Sequence, residues 1–360
     1  MKNSWTVAHD FAFHFGGAER VTAQLHEAVG TGDVRVLAGN AKTIARMGIS
    51  TSHEAISPGW VGEHNYRPLA VMHAITAMTS TVVPGNLIAS SYGFSHMLRS
   101  EGSKVVYCHS PLRQAWSGVR EYSKSMGGVT GAVWRFGAAP VLRNLDRLSA
   151  GSADHFIATS KAVQKRIAEY YGRESIIIAP PVDDIFTPSL VDVPFANNYV
   201  WAGRIVEPYK KLSLLVEAFR LAPNRTLTVA GDGRDRAAIE RDAPSNVKFI
   251  GEVDSEKLAA LFRNASAVIM PSEDDFGMVA AEAIASGTPV IALARGGALD
   301  TVSPGRSGIL YEECSSAGIL SGLREFETVS WNRSEVAQCG ERFRAESFRS
   351  SIQDYLKSLD

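Results

Sequence analysis

The stretch SEDDFGMVAAEAIASGTPV, residues 272–290, places two acidic side chains, Asp274 and Glu282, around a Phe-Gly turn. A strand is predicted to end before this stretch, and Gly277 to begin a helix whose first turn has free N–H groups that attract anions. Glu282 is suited to accept hydrogen bonds from a ribose diol, and Asp274 to reach a sugar hydroxyl. Helix capping by Asp274 or Asp275 is the alternative, but it does not explain an acid at Glu282 among apolar neighbours.

The stretch AGRIVEPYKKLSLLVEAF, residues 202–219, follows another predicted strand and presents Arg204 and Lys210 six positions apart. Two cations at the carboxyl end of a strand suit a diphosphate whose leaving group gains negative charge. The alternative interpretation is a solvated helix N-terminus with surface arginine and lysine side chains. The pair therefore predicts a phosphate site only in combination with the acidic stretch.

Two further candidate sites follow predicted strands in the first half of the chain. The paired glycines Gly16 and Gly17 in FGGAERV open a helix and allow the backbone to approach a bulky ligand group closely. His109 in VVYCHSPLRQAW lies at the carboxyl end of its strand, where ligands bind in parallel α/β folds. A structural role for this histidine is equally compatible with the sequence.

The sequence contains no recognisable metal or cofactor motif. It has no HExxH, no DxD pair that would hold a divalent cation on a diphosphate, no GxSxG and no P-loop. AGDGR, residues 230–234, lacks the third glycine of a dinucleotide fingerprint and predicts a strand-to-helix turn. We therefore expect phosphate recognition without cofactor or metal, from helix N-termini and from Arg204 and Lys210.

The composition favours a cytoplasmic globular protein of two domains. The 360 residues are 45% hydrophobic and 21% charged, and a net charge of −1 argues against a nucleic-acid binder. Three widely spaced cysteines form neither a disulfide framework nor a metal clip, which is typical of a reducing compartment. The N-terminus shows no signal-peptide pattern, and no apolar run is long enough to cross a membrane.

Short apolar runs alternate with helical patterns over most of the chain, which indicates parallel sheets covered by helices on both faces. Strands are predicted at residues 5–8, 34–38, 87–89, 104–108, 155–158 and 176–179, and again at 199–202, 227–230, 247–250, 267–270, 290–293 and 308–311. Helices are predicted at 18–29, 162–171, 213–221, 234–242, 256–264, 278–286, 317–326 and 343–359. Prolines at 180, 181, 188 and 194 end regular structure. We therefore predict domains at 1–182 and 183–342.

In these motifs the chain resembles the retaining GT-B glycosyltransferases of family 4 over nearly its whole length. The motifs follow the family's order and are GGAERV, YCHSPLR, IATSKAVQKRIAEYYGRESIIIAPPVD, AGRIVEPYKKLSLLVEAF, VAGDGR, VKFIGEV and PSEDDFGMVAAEAIASGTPVIALARGGALDTV. YCHSPLR and EDDFG are most similar to bacterial mannosyltransferases of O-antigen and exopolysaccharide synthesis. The resemblance implies two Rossmann-like, doubly wound domains facing across a cleft. It also implies that the C-terminal helix, within residues 343–360, crosses back to the first domain.

The resemblance implies roles for individual residues as well. Arg204 and Lys210 match the pair that binds the donor diphosphate, and Glu282 matches the second glutamate of the E-x7-E motif, which contacts the nucleotide ribose. Asp274 stands in the first glutamate's place, beside the donor sugar, and is one methylene shorter. The other matches are Phe276, Gly277, Met278 and Val279 for backbone amides of the sugar and phosphate pocket, Gly16 and Gly17 for donor phosphate and acceptor, His109 for the donor sugar, and Val253 for the base.

The function implied by the resemblance is metal-independent transfer of a hexose from a nucleotide diphosphate sugar to a saccharide or lipid-linked glycan, with retention of configuration. GDP-mannose is favoured as the donor over UDP-sugars. A nucleotide-sugar epimerase and a non-catalytic sugar-nucleotide-binding subunit are the alternatives. The segment 113–143, rich in cations and aromatic residues, predicts either contact with the anionic inner face of the membrane or a partly buried helical pair lining the acceptor cleft.

Overall fold

The computed structural model describes residues 4–30, 34–49, 53–64, 66, 69–189 and 197–359. The chain divides into two compact units, one formed by Met1–Ala179 with Phe348–Asp360 and the other by Pro180–Ser347. The second unit thus begins at Pro180 rather than at residue 183, and it ends at Ser347 rather than at residue 342.

The contacts of Val182 account for these boundaries. Its N–H donates a hydrogen bond of 2.7 Å to the carbonyl oxygen of Phe343, and the residue forms a parallel bridge with Arg344. The two segments in which the chain passes between the units are therefore hydrogen-bonded to each other as part of the second unit.

A parallel seven-stranded sheet forms the centre of the first unit, in the order β3-β2-β1-β4-β5-β6-β7. The strands are β1 (Trp5–Ala12), β2 (Val34–Gly39), β3 (His53–Ala55), β4 (Asn86–Ser91), β5 (Lys104–Cys108), β6 (His155–Ala158) and β7 (Ile176–Ile177). The helices between them are α1 (Gly17–Val29), α2 (Ala41–Arg46), α3 (Ala70–Thr79), α4 (Val119–Met126), α5 (Gly128–Val133), α6 (Ala139–Gly151) and α7 (Lys161–Tyr171). A π-helical turn, Trp134–Ala138, joins α5 to α6.

Helices cover the first sheet on both faces. Val7 of β1 belongs to one buried cluster with Leu25 of α1, whereas Ala8 belongs to another with Ala74 of α3 and Leu142 of α6. Successive residues of a strand point to opposite faces of a sheet, and all eight residues of β1 are buried. Strands covered on both faces tend to be apolar throughout; the sequence predicted only residues 5–8 of β1, because the polar residues His9 and Asp10 follow.

The second unit contains a parallel six-stranded sheet in the order β10-β9-β8-β11-β12-β13. Its strands are β8 (Asn198–Ala202), β9 (Thr226–Ala230), β10 (Val247–Gly251), β11 (Ala267–Met270), β12 (Val290–Leu293) and β13 (Gly308–Tyr311). Its helices are α8 (Leu212–Arg220), α9 (Arg236–Arg241), α10 (Ser255–Asn264), α11 (Met278–Ala285), α12 (Ala298–Thr301), α13 (Ser316–Thr328) and α14 (Arg333–Gly340). The strand order reverses direction between β8 and β11, where ligands bind in folds of this kind.

The last helix, α15 (Ala345–Lys357), packs into the core of the first unit. Phe348, Ile352 and Leu356 belong to the same buried cluster as Val7 and Leu25. Their spacing of four residues places them on one face of the helix.

The predicted α/β class with two parallel sheets is confirmed, and all twelve predicted strands are present, although β7 is shorter than predicted. The sequence prediction missed β3, α2, α3, α12, α14 and the division of residues 119–151 into three helices. In α3 the apolar residues do not form one face, since Ile75 is 51% exposed whereas His73 is fully buried. Such a helix has no amphipathic period from which it could be predicted.

Candidate functional site

The carboxyl ends of the second unit's strands carry most of the candidate residues. Strands β8 and β11 are hydrogen-bonded neighbours, paired through Val200 and Val268. The loop after β8, which holds Arg204 and Lys210, therefore leaves the sheet beside the loop after β11, which holds Asp274. This is the edge at which parallel α/β sheets bind ligands.

Lys210 and Asp274 form an ion pair at this edge. The Nζ atom of Lys210 donates to Oδ1 of Asp274 at 2.7 Å, and the two side chains are 31% and 22% exposed. Ser272 Oγ lies 3.4 Å from the same carboxylate oxygen. An ion pair that is open to water to this extent contributes only about 0.2–1 kcal/mol, so a phosphate group of higher charge can displace the carboxylate.

Arg204 is exposed, and its guanidinium group has no partner among the residues that the structure describes. Five N–H donors of a planar guanidinium are therefore available to a ligand on the same loop as Lys210. Of the two cations that the sequence singled out, Lys210 is paired, whereas Arg204 has no partner within the described residues, a difference that the sequence did not indicate.

Helix α11 begins beside Asp274. Gly277 is its N-cap and has a φ of +89°, a conformation that favours glycine. Met278 and Val279, the first two helical residues, are half-buried, and their N–H groups have no acceptor within the helix. The Phe276 side chain is buried and packs edge-on against Phe343, with ring centroids 5.6 Å apart. Only the backbone of Phe276 is therefore left for contact with a ligand. Helix N-termini of this kind favour negatively charged ligand groups.

Glu282 lies in the second turn of α11 and is only 5% exposed. The neighbouring residues Ala281 and Ala283 are fully buried. A carboxylate in such surroundings is costly unless it is hydrogen-bonded, which suits a residue that holds one defined hydrogen-bonding arrangement. Its contact with a ribose is still a prediction.

Glycines allow the loops at this edge to pack backbone against backbone. A Cβ atom on Gly231, after β9, would lie 1.9 Å from the carbonyl oxygen of Gly203, after β8. A Cβ atom on Gly297, after β12, would lie 2.3 Å from the carbonyl oxygen of Phe276, and its N–H donates to the Asp274 carbonyl at 2.8 Å. Sequence reasoning assigned no role to Gly297, although the paired glycines after a strand gave a signal.

Val253 lies farther along the same edge. It follows β10, the outermost strand, and β9 separates β10 from β8. The side chain is half-buried. β10 is two strands away from β8, which precedes the Arg204 loop. A nucleotide whose base lay near Val253 would therefore extend along the carboxyl edge of the sheet.

In the first unit, Gly16 and Gly17 lie at the start of α1, after the short loop that follows β1. Gly16 is the N-cap, and Gly17 is the first helical residue. The Gly16 N–H donates to Oε2 of Glu19 at 2.8 Å, so a carboxylate of the protein itself occupies part of this helix N-terminus. The predicted contact of this glycine loop with a donor phosphate is still a prediction.

His109 belongs to a row of hydrogen-bonded side chains that sequence reasoning missed. Glu19 Oε1 lies 3.3 Å from Nε2 of His9, and Nδ1 of His9 lies 2.9 Å from Oγ1 of Thr22. Thr22 Oγ1 lies 2.8 Å from Oγ of Ser90, which lies 2.8 Å from Nε2 of His109. These five side chains, called the His9–His109 chain below, join α1, β1, β4 and the loop after β5.

The two histidines of this chain have opposite pKa shifts. Burial and, to a smaller extent, the positive charge of His9 together lower the pKa of His109 to about 3. Burial also opposes a charge on His9, but the hydrogen bond and the negative charge of Glu19, with smaller contributions from Asp10 and the Ser90 carbonyl, together raise the pKa of His9 above its ordinary value. His109 is therefore neutral at pH 7, whereas protonation of His9 is favoured.

Asp10, next to His9 on β1, is a second buried acid that the sequence analysis overlooked. Its carboxylate accepts backbone N–H groups of Tyr92 at 2.6 Å, Phe94 at 2.7 Å and Ser95 at 2.6 Å. Asp10 thereby fixes the loop after β4, the strand that carries Ser90. Two polar residues, His9 and Asp10, inside the apolar run of β1 were the signal that could have found this cluster.

Within the described ranges, no group of three or more His, Cys, Asp or Glu side chains is placed to hold a metal ion. In the same ranges, no helix is both long and apolar enough to cross a membrane. Metal independence and the cellular location are thus still predictions.

Comparison with known proteins gives a family match within the second unit. Residues 196–326 match the family described as Glycosyl transferases group 1. This segment begins before β8 and ends within α13, so it contains Arg204, Lys210, Asp274 and Glu282.

The chain spans about half the length of the curated relatives that it matches. The D-inositol 3-phosphate glycosyltransferase of Geodermatophilus obscurus is 30% identical over 243 residues, which cover 59% of this chain and 51% of the relative. Glycogen synthase of Mycobacterium tuberculosis is 28% identical over 188 residues, which cover 48% of this chain and 45% of the relative.

Solved structures match nearly the whole chain. The Anabaena protein HepE in complex with UDP-glucose has a TM-score of 0.68 at 19% identity and covers 98% of this chain and 99% of its own. The lipopolysaccharide outer core galactosyltransferase WaaB has a TM-score of 0.69 at 16% identity, with 99% and 100% covered. The chain therefore has the GT-B fold of two Rossmann-like domains. Within its second unit, residues 196–326 are similar to the group 1 glycosyl transferases.

Proposed function

We propose that this chain is a retaining glycosyltransferase of family 4, which transfers a hexose from a nucleotide diphosphate sugar to a hydroxyl group of a saccharide or a lipid-linked glycan. The ion pair of Lys210 and Asp274 carries the proposal, because it joins the loop that holds the exposed Arg204 to the loop that leads into α11. Cations, a helix N-terminus and a sugar-binding acid at one edge are the groups that a diphosphate sugar requires.

The proposed reaction uses the negative charge of the leaving group. The bond from the anomeric carbon to the phosphate oxygen breaks, and the acceptor oxygen bonds to the same face of that carbon. The departing phosphate takes the acceptor proton. Lys210, released from Asp274, and Arg204 would stabilise the growing phosphate charge, and Asp274 would then be free to bind sugar hydroxyls. Preorganised charges of this kind are usually the largest single contribution to catalysis.

The donor is proposed to be GDP-mannose, on the resemblance of YCHSPLR to mannosyltransferases, with UDP-sugars as the second candidates. The similarity to HepE, whose structure contains UDP-glucose, makes UDP-glucose the necessary comparison. Asp274 in place of a glutamate also keeps the choice of sugar open, because a shorter side chain reaches different hydroxyl groups.

Contact with an anionic membrane face is proposed for the first unit. Val129, Val133 and Phe136, spaced four and three residues apart, are 80%, 62% and 74% exposed, and we call them the apolar stripe. Segment 113–148 has six cationic and two acidic side chains, one of which, Asp146, is fully buried. Exposed apolar residues flanked by cations suit the surface of anionic lipids at the cytoplasmic face of the membrane.

The aromatic residues of this segment divide between core and surface. Trp134 is buried and packs on Tyr122 with ring centroids 4.8 Å apart, whereas Phe136 is mostly exposed. Trp116 stacks on Tyr170 at 4.5 Å. A membrane contact would therefore rest on Phe136 and the two valines, and the other aromatic residues hold the helices together.

Thermal denaturation with a panel of nucleotides tests the donor assignment. A ligand at one hundred times its Kd adds about 2.7 kcal/mol to the free energy of unfolding, so GDP, UDP, ADP and their hexose conjugates should separate clearly. If none of them raises the Tm at millimolar concentration, the proposal is wrong.

Product analysis tests the reaction itself. The purified chain, with the stabilising donor, a crude lipid-linked acceptor and EDTA, should release nucleotide and form a product of retained configuration. Isomerisation of the donor without acceptor would instead indicate an epimerase. Binding without nucleotide release would indicate a non-catalytic subunit.

A further inference from the structure

Arg204 and Lys210 lie in one loop, residues 203–211, which we call the cation loop. Strands β8 and β9 are paired in the sheet, so the cation loop leaves the carboxyl edge beside the loop that follows β9. The Ile205 N–H donates to the Asp232 carbonyl oxygen at 2.8 Å, which fixes the backbone next to Arg204. The contacts made further along the cation loop therefore decide where Lys210 lies relative to Arg204.

Glu207, at the midpoint of the cation loop, is held by two side chains of the loop after β9. Its N–H donates to Oδ2 of Asp235 at 2.8 Å, and its carbonyl oxygen accepts from the guanidinium group of Arg234 at 3.0 Å. The direction of both bonds is fixed, because a backbone N–H can only donate and a carbonyl oxygen can only accept. Both backbone polar groups of Glu207 are thus bound by side chains outside the cation loop.

Asp235 is the N-cap residue of α9, but its side chain makes no capping hydrogen bond to that helix. An N-cap aspartate normally accepts an N–H group from the first turn of its own helix. The carboxylate of Asp235 instead accepts the Glu207 N–H and, at 3.2 Å, Nε of Arg234. A contact with the cation loop therefore takes the place of the usual local role of this acid.

The Glu207 side chain connects the same point of the cation loop to α8. Its Oε1 accepts the N–H of Ser213, the second residue of α8, at 3.2 Å, whereas the N-cap residue Lys211 provides no side-chain cap. Lys210 immediately precedes that N-cap, and its N–H donates to the Val206 carbonyl oxygen at 3.0 Å. The backbone of Lys210 is therefore confined between Glu207 and the start of α8.

The negative charge of Asp235 is balanced by Arg234. A carboxylate without a cationic partner beside the cation loop would repel a diphosphate. Because the Arg234 guanidinium contacts both the Asp235 carboxylate and the Glu207 carbonyl oxygen, it offsets this repulsion and adds to the restraint on the loop. Asp235 thus supplies a hydrogen-bond acceptor to the cation loop with little net charge.

We propose that Asp235 and Glu207 are positioning residues of the diphosphate site, which hold the cation loop in the form that directs Arg204 and Lys210 to one ligand. A loop that must be ordered on binding lowers the affinity for its ligand, so a loop that is ordered beforehand raises it. The role of Asp235 requires a hydrogen-bond acceptor and not a negative charge. That the ligand is a diphosphate rests on the proposed function, whereas the restraint on the loop does not.

Amide hydrogen exchange of the ligand-free protein, followed by mass spectrometry, tests the restraint. Asp235→Ala removes the acceptor and should speed exchange in the peptide that contains residues 203–211 by about tenfold. Asp235→Asn keeps an oxygen acceptor and should retain the wild-type rate. If Asp235→Ala does not fold, Glu207→Ala and Glu207→Gln form the replacement pair, with the same expected difference. Equal exchange of this peptide in the alanine variant and the wild type would overturn the proposal.

Calorimetric titration with GDP and with UDP tests the consequence for the ligand. Asp235→Ala should raise the Kd of the nucleotide that binds the wild type by about three- to tenfold, and Asp235→Asn should keep the wild-type Kd. Asn332→Ala is the control, because Asn332 caps α14 of the same unit by accepting the Ser334 N–H at 2.9 Å. It should lower the Tm and leave the Kd unchanged. An unchanged Kd in Asp235→Ala would contradict the positioning role.

A double-mutant cycle separates positioning of Lys210 from a general loss of stability. In the Lys210→Ala background, Asp235→Ala should raise the Kd by a smaller factor than in the wild type, because the contact that it misplaces is already absent. The same factor in both backgrounds would show that Asp235 acts independently of Lys210, against the proposal. If neither nucleotide binds the wild type, the proposed function and the role in ligand binding are both refuted, whereas the exchange experiment still decides whether Asp235 restrains the loop.

Discussion

Lys210 and Asp274 are 64 residues apart in the sequence, yet their side chains meet at 2.7 Å. The contact arises because β8 and β11 are adjacent in the sheet and both residues lie in loops at its carboxyl edge. In the free protein each charge neutralises the other. A diphosphate that takes the place of Asp274 would gain the Lys210 ammonium and release the carboxylate at the same moment.

Replacement of Lys210 by alanine should abolish most of the turnover and leave the fold intact. Loss of one charge that stabilises a transition state lowers the rate by about 10²–10³-fold, whereas loss of an open ion pair reduces the free energy of unfolding by less than about 1 kcal/mol. The measurement is kcat with the stabilising donor, beside a thermal melt.

Lys257→Ala is the control for this variant, because Lys257 is an exposed lysine of α10 in the same unit. It should retain wild-type turnover. A folded Lys210→Ala protein with full activity would exclude Lys210 from the reaction.

Asp274→Asn should separate sugar binding from phosphate binding. Without its carboxylate partner, Lys210 has its full charge available for a phosphate, so the affinity for the nucleoside diphosphate should stay equal or increase. Turnover of the sugar donor should decrease by about tenfold or more, because a hydrogen bond from a sugar hydroxyl to a charged acceptor is lost. Calorimetric Kd values for the diphosphate and initial rates with its sugar conjugate provide the comparison.

Asp274→Glu keeps the charge and serves as the paired variant. It should retain tight diphosphate binding and show altered preference among hexoses. Weaker binding of the diphosphate to Asp274→Asn than to the wild type would mean that the carboxylate does not compete for Lys210.

Gly231→Ala should destabilise the second unit by about 2–4 kcal/mol, from a clash and a strained backbone together. Its φ is +145°, and the new Cβ would lie 1.9 Å from the Gly203 carbonyl oxygen. Gly305→Ala is the control, since its φ is +73° but no atom lies within 4 Å of the new Cβ. It should lose about 1 kcal/mol. Urea denaturation of both variants measures the difference, and equal losses would show that the close approach of the loops is not required.

The low pKa of His109 should make the protein less stable in acid. Between the ordinary histidine pKa of about 6.5 and the native value of about 3, the unfolded chain binds a proton that the native state does not. The free energy of unfolding therefore decreases as the pH falls through this window, by at most about 1.4 kcal/mol per pH unit from this residue.

His109→Gln removes this titration and should show a weaker dependence of Tm on pH between 6.5 and 4. Other carboxyl groups titrate in both proteins, so the difference between the two curves is the quantity of interest. Parallel curves for wild type and variant would contradict a suppressed pKa at His109.

The double substitution Val133→Ser with Phe136→Ser should reduce binding to anionic vesicles by about tenfold, because it removes two exposed apolar side chains of the apolar stripe. The double variant Leu221→Ser with Leu299→Ser removes two similarly exposed residues from the second unit, 64% and 55% exposed, and should bind as the wild type does. Flotation at low salt measures both. Absence of wild-type binding to anionic vesicles would remove the membrane proposal.

Local patterns carried the successful part of the sequence analysis. The strand β11, AVIM, is fully buried and is followed by a loop and a helix in the sequence PSEDDFGMVAAEAIA, so its position and its neighbours were readable. The helix α3 was not, because His73 is buried and Ile75 exposed, against the usual order. The five side chains of the His9–His109 chain come from four parts of the first unit, and no local pattern links them.

The sequence by itself determined the alternation of strands and helices, the glycines at the loops and the order of the candidate residues, because apolar periodicity and backbone conformation act over a few neighbouring positions. Only the tertiary structure decided that Lys210 is paired while Arg204 has no partner in the described part of the chain, that Glu19 occupies the start of α1, and that His9 is connected to His109. These properties depend on which strands lie side by side and on the burial that results, and burial is what makes a hydrogen bond to a charged partner decisive.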